Sequence, residues 1–168
     1  MSNILYIVVP CYNEQEVLPE TSKRLREKVQ TLRQSGKIDA DSRILFVNDG
    51  SKDATWEMVQ KLHEENSVFS GVNLSRNRGH QNALLAGIAV AAEHADMIVS
   101  MDADLQDPPS LLPEMLELLF SGEYDCAATR RTTREGEPPV RSWFAKKFYQ
   151  IINKLSDTEI VDGARDFR

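Results

Sequence analysis

Cysteine is scarce in this chain. Cys11 and Cys126 are the only two in 168 residues, too few for a disulfide framework. No Cys/His cluster has the spacing of a zinc site. No apolar run approaches the roughly 20 residues that a membrane-spanning helix needs. Basic charge is outweighed, with 20 Lys and Arg against 26 Asp and Glu, and the net charge of -6 argues against a nucleic-acid partner. Met1-Ser2-Asn3-Ile4-Leu5 places no basic leader before an apolar core, so no secretory signal is expected. These absences favour a reducing, cytoplasmic setting. With 41% hydrophobic and 27% charged residues, the composition is that of a soluble globular domain with a real core.

Apolar runs alternate with helical patterns. Ile4 to Val9 is a largely β-branched run that Pro10 is expected to end, as a buried parallel strand. Val17, Leu18, Leu25, Val29 and Leu32 predict a helix over about 16–33. Ile44 to Val47 predicts a second strand. Ser51 or Asp53 is placed to cap the next helix, whose inner stripe is Trp56, Val59, Leu62 and His63. Residues 71–74 and 97–101 read as further strands, and 79–92 as an Ala-rich helix suited to close packing on a sheet. Asp107-Pro108-Pro109 predicts the start of a helix through Leu111, Leu112, Met115, Leu116 and Leu119. Tyr124 to Thr129 is expected as a fifth strand. Such alternation predicts an α/β fold, a mostly parallel sheet with helices on both faces.

In such sheets ligands bind outside the carboxyl ends of the strands. Five polar clusters fall there: residues 10–14, 48–53, 75–80, 102–104 and 130–131. Asp102 and Asp104 repel one another unless a cation sits between them, and a hard divalent ion such as Mg2+ or Mn2+ would bring a phosphate with it. That pair alone also reads as helix-capping loop residues. Tyr12 offers a flat amphipathic ring to a base, Glu14 a carboxylate to ribose hydroxyls, and Asp49 an acceptor to a base N–H. Arg76 and Arg78 supply cations near a diphosphate, and Gly79 permits close backbone approach. Asp53 reads as a helix cap rather than a ligand.

The segments Val8-Val9-Pro10-Cys11-Tyr12-Asn13-Glu14, Val47-Asn48-Asp49-Gly50-Ser51-Lys52-Asp53, Asn77-Arg78-Gly79 and Met101-Asp102-Ala103-Asp104-Leu105-Gln106-Asp107-Pro108-Pro109 resemble family 2 glycosyltransferases. The match is closest to the polyprenyl-phosphate branch, which includes dolichyl-phosphate mannose synthases and undecaprenyl-phosphate sugar transferases. The resemblance implies a GT-A fold, Rossmann-like, and inverting transfer from a UDP- or GDP-sugar. It implies that Pro10, Tyr12, Asn13, Glu14, Asp49, Arg78, Asp102 and Gln106 hold the nucleotide-sugar, and that Asp102 and Asp104 hold the metal. Arg130 and Arg131 would meet the acceptor phosphate or the donor diphosphate. Asp166-Phe167-Arg168 resembles the start of a Gly-Asp-Phe-Arg motif, with Arg165 in place of Gly, and so places Asp166 in the acceptor pocket as a catalytic candidate. On this reading residues 1–168 form one catalytic domain, with nucleotide-sugar binding over about 1–105 and the acceptor region opening over 106–168. The resemblance suggests membrane-spanning helices after residue 168, a point the residues themselves leave open.

Chemistry favours a polyprenyl phosphate as acceptor. A sugar hydroxyl needs a positioned base, whereas a phosphate monoester is largely ionised near neutrality, with a second pKa of about 6, and needs cations instead. Residues 130–147 carry six basic side chains against two acidic ones, net +4, and run into the apolar stripe Trp143, Phe144, Phe148, Ile151, Ile152 and Leu155. That juxtaposition suits the anionic surface of a membrane, here its cytoplasmic face, although a core-facing helix has the same pattern. A homo-oligomer is left open. Competing readings are a polysaccharide-forming transferase with a hydroxyl acceptor, a nucleotide-sugar-binding module without catalysis, and a haloacid-dehalogenase-type phosphatase. The last needs its aspartate pair after the first strand rather than the fourth.

Overall fold

The computed structural model describes residues 3–106, 108–129 and 167. All but residues 128 and 129 of these belong to one compact unit. Four strands, β1 (Leu5–Cys11), β2 (Arg43–Asn48), β3 (Phe69–Asn73) and β4 (Met97–Ser100), form one parallel sheet in the order β3-β2-β1-β4. The helices are α1 (Leu18–Gln34), α2 (Thr55–Glu65), α3 (His80–Ala91) and α4 (Leu112–Phe120), the last preceded by a 3-10 turn over Pro109–Leu111. Among the described residues no helix is long and apolar enough to cross a membrane.

The side-chain alternation of β1 divides the core in two. Leu5, Ile7, Val9 and Cys11 pack with residues of α1, α2 and α4, while Val8 faces α3. Phe46 and Phe69 stack in the first layer, where Phe167 is also buried. On the opposite face α3 lies close to the sheet because it carries Gly87: a Cβ there would stand 2.4 Å from Val8 Cγ1 and 2.6 Å from Val47 Cγ2. Small helical residues thus set the spacing of that layer, as the Ala-rich pattern predicts.

Two sequence expectations are corrected. Pro10 does not end β1, which runs on to Cys11 against Asn48 of β2. It ends the pairing with β4 instead. Met101 N–H donates to Val8 C=O at 3.1 Å, and the next rung would need an amide that Pro10 lacks. β4 is released there, one residue before Asp102. The expected fifth strand, Tyr124–Thr129, is not a strand: residues 124–126 are exposed and the sheet ends at β4 among the described residues. Two alanines and an aspartate leave that segment little β preference. The expected helix start at Asp107 lies outside the described residues, and regular α-helix begins at Leu112.

Candidate functional site

All four strands run in one direction, so their carboxyl ends share one rim. The loops after β1 and β2 are latched to each other there. Asn13 adopts φ 56°, its N–H donates to Ser51 Oγ at 3.0 Å, and its Oδ1 accepts Lys52 N–H at 2.8 Å. Asparagine tolerates this left-handed conformation better than most side chains. Glu14 N–H donates to Thr55 Oγ1 (2.9 Å), Gln15 N–H to Asp53 Oδ2 (3.2 Å), and Ala54 N–H to Gln15 Oε1 (3.1 Å). Asp53 Oδ1 accepts from both the amide and the hydroxyl of Thr55. Burial acts to raise the Asp53 carboxyl, but the Thr55 and Gln15 hydrogen bonds outweigh it and hold the group below its ordinary value. Asp53 therefore organises the turn that leads into α2, but it is not the cap expected from the sequence: the N-cap position falls at Ala54, with no side-chain capping bond. The other capping candidate, Ser51, holds Asn13.

Asp49 is only 2% exposed. Its Oδ1 accepts Arg78 N–H at 2.7 Å and its Oδ2 accepts Gly79 N–H at 2.9 Å, so one carboxylate fixes the turn into α3. The adjoining Gly50 has φ 66°, and a Cβ there would lie 2.5 Å from the Arg76 carbonyl carbon and 2.6 Å from Asn77 N. Only glycine lets these two backbones approach so closely.

After β4 the chain alternates between inside and outside. Met101 and Ala103 are buried, Asp102 is half-buried and Asp104 is exposed. The Ala103 carbonyl accepts the Thr21 hydroxyl of α1 at 2.5 Å. Asp104 Oδ1 accepts Gln106 N–H at 3.0 Å, closing a tight turn around Leu105, which has φ 56°. His80, at the start of α3, places Nε2 3.7 Å from Asp102 Oδ1. The sequence reading named His80 only as part of its loop and missed this neighbour; its place beside Gly79 at the end of β3 was the available signal.

The electrostatics tie these loops together. Burial raises the Glu14 carboxyl above its ordinary range, and the charges of Asp104, Asp53 and Asp102 raise it further. Residues from three separate loops thus share one negative field. Cys11 lies beneath it, its thiol pushed far up by burial and then by Glu14, which leaves it unreactive. Among the described residues no three His, Cys, Asp or Glu side chains converge on one metal position. The donors on offer at the end of β4 are carboxylate oxygens, which suit Mg2+ or Mn2+ completed by phosphate and water rather than a closed protein cage. Of the expected nucleotide-sugar residues, the structure brings Tyr12, Asn13, Glu14, Asp49, Arg78, Asp102 and Gln106 to the same rim, with Pro10 just below and Tyr12 41% exposed. Arg130, Arg131, Asp107, Asp166 and the predicted helix around Trp143–Leu155 lie outside the described residues.

Residues 6–168 match the family described as Glycosyl transferase family 2. The chain is 41% identical to "Uncharacterized glycosyltransferase YkoT" of Bacillus subtilis (strain 168), over 98% of this chain and 48% of that protein. It is 39% identical to the undecaprenyl-phosphate 4-deoxy-4-formamido-L-arabinose transferase of Enterobacter sp. (strain 638), over 96% of this chain and 45% of that protein. Among solved structures, the mannosyltransferase PcManGT of Pyrobaculum calidifontis, in complex with GDP-Man and Mn2+, superposes with a TM-score of 0.60 at 19% identity, over 91% of this chain and 39% of that one. The chain spans about half the length of the curated relatives it matches, 47% to 49% for YkoT and two others.

Proposed function

Because the chain belongs to glycosyl transferase family 2 and has the GT-A fold, we propose that it is the catalytic domain of an inverting, metal-dependent transferase acting on a polyprenyl phosphate. The donor is a UDP- or GDP-sugar and the acceptor lies at the cytoplasmic face of a membrane. The observation that carries this reading is the placement of the Asp102 and Asp104 carboxylates directly after β4, on the rim shared with Tyr12, Glu14 and Asp49. An acidic cluster of this kind is stable with a divalent cation and a diphosphate, and poorly matched to an anion alone. The lipid acceptor is supported by the name of the Enterobacter relative and the net +4 charge of residues 130–147.

In this reading Pro10, Tyr12, Asn13 and Glu14 border the nucleoside, with the Tyr12 ring free to stack on the base. Asp49 fixes the Arg78–Gly79 turn and takes the nucleoside at its remaining lone pairs. Arg78 and Gln106 approach the diphosphate. Asp102 and Asp104 hold Mg2+ or Mn2+, which when bound stabilises the charge developing on the departing nucleoside diphosphate. An acceptor phosphate oxygen attacks the anomeric carbon as the bond to the diphosphate oxygen breaks, inverting that centre. The electron pair leaves with the nucleoside diphosphate, and no general base is required for an acceptor that is already ionised. Arg130 and Arg131 neutralise the acceptor phosphate or the diphosphate, and Asp166 lines the acceptor pocket. Residues up to about 105 serve the donor and those from about 106 open the acceptor region.

Calorimetric titration with UDP- and GDP-sugars, with and without Mn2+, tests the reading. Binding is expected to require metal and to fall at least about tenfold in Asp104→Ala. Metal-independent binding that survives this substitution would contradict the proposed role.

A further inference from the structure

Thr21 is fully buried in α1, on the same face as Leu18 and Leu25, where a purely apolar side chain of the same shape would suit the packing at least as well. Its hydroxyl has a contact within its own helix, the Val17 carbonyl at 3.2 Å, but a shorter one to the Ala103 carbonyl, 82 residues away, at 2.5 Å. Ala103 lies two residues beyond the last β1–β4 rung, at Met101, outside the ladder, and is itself only 3% exposed. A buried carbonyl in that place needs a donor from elsewhere, and α1 delivers one. The residue so held is the middle of Asp102-Ala103-Asp104. Drawing it inward turns its two neighbours toward the rim, Asp102 beside His80 and Asp104 into the turn with Gln106.

We propose that Thr21 is a positioning residue for the metal pair: its hydroxyl, by holding the Ala103 carbonyl, sets the separation and direction of the Asp102 and Asp104 carboxylates. This rests on the reading of that pair as the metal–diphosphate site. It also couples the donor loops to one another, since the helix that carries Thr21 begins a few residues after Glu14, on the nucleoside side of the rim.

The test compares Thr21→Val, which deletes the hydroxyl at constant shape, with Thr21→Ser, which keeps it. Mn2+-dependent donor binding by calorimetry is expected to weaken about tenfold or more in the valine variant and to stay within about twofold of the parent in the serine variant. The near-UV circular dichroism spectrum without metal is expected to be unchanged in both, a readout that general damage to the fold would move. Should the valine variant not fold, Thr21→Ala removes the same hydroxyl with the same expectations. Parent-like metal dependence without the hydroxyl overturns the inference, as does an equal loss in Thr21→Ser. Asp104→Ala run alongside separates the two readings. If it loses binding while Thr21→Val does not, the positioning role fails alone; if it keeps metal-dependent binding, the metal-pair reading fails and takes this inference with it.

Discussion

Glu14 shows most directly that side chains here are placed at some expense to stability. Its carboxyl is raised by burial and by Asp104, Asp53 and Asp102, so the folded state holds its proton more tightly than the unfolded chain does. The folded form is therefore favoured at acid pH. That advantage is lost as pH rises through the unfolded value and then the raised folded value, and at neutrality the full repulsion is present. Glu14→Gln removes it. We expect a higher Tm at about pH 7, a gain of up to about 0.5 kcal/mol after solvent screening, and convergence with the parent near pH 4. Thermal melts at the two pH values check this, and a lower Tm at neutral pH would contradict it. The same variant should bind donor more weakly if Glu14 meets the ribose. Asp49 is the opposite case: its charge is matched by two backbone amides, so its role in the fold is satisfied before any ligand arrives.

At the scale of elements, the site depends on how closely loops and helices approach. The β1–α1 and β2–α2 loops hold each other through Asn13, Gln15, Ser51, Asp53 and Thr55. Helix α3 is held at its start by Asp49 and in its middle by the contact at Gly87. Gly87→Ala would drive a methyl group into Val8 and Val47. We expect a loss of about 1–3 kcal/mol in denaturant unfolding, because both neighbours lie on buried strands and cannot withdraw. A change below about 0.5 kcal/mol would show that α3 can lift away. Much of this was legible beforehand. The strands, helices and their order follow from hydrophobic periods, and the four strand-end clusters that fall within the described residues stand where a parallel sheet places them. The continuation of β1 through Pro10 was not legible, because the missing amide matters only on the side facing β4. Nor was the absence of a strand at 124–129, since a strand exists through its partner.

For the whole molecule, charge is divided between the two ends of the chain. Net charge is -6 overall, yet residues 130–147 carry +4, and the acidic rim gathers at the strand ends. Under the proposed function, an anionic donor taken through a metal and an anionic lipid met at a surface would each suit one side of this division. We expect Lys146→Glu with Lys147→Glu to weaken binding to vesicles containing anionic phospholipid, by about 1 kcal/mol per neutralised charge or more on reversal. Sedimentation with such vesicles at low and high salt measures it, and unchanged binding would count against a membrane-facing role for that segment.

From its order of residues alone this protein is recognisable as an α/β chain with a paired-aspartate strand end and a family resemblance that its relatives bear out, because periodicity and motif spacing are local properties. Which groups share a field, which carboxylate serves backbone amides, and which helix holds the peptide between the aspartates were decided only by folding. Glu14 and Asp104, Asp49 and Gly79, Thr21 and Ala103 are far apart along the chain, and their interactions depend on distances of a few ångströms that only the packed sheet and helices define.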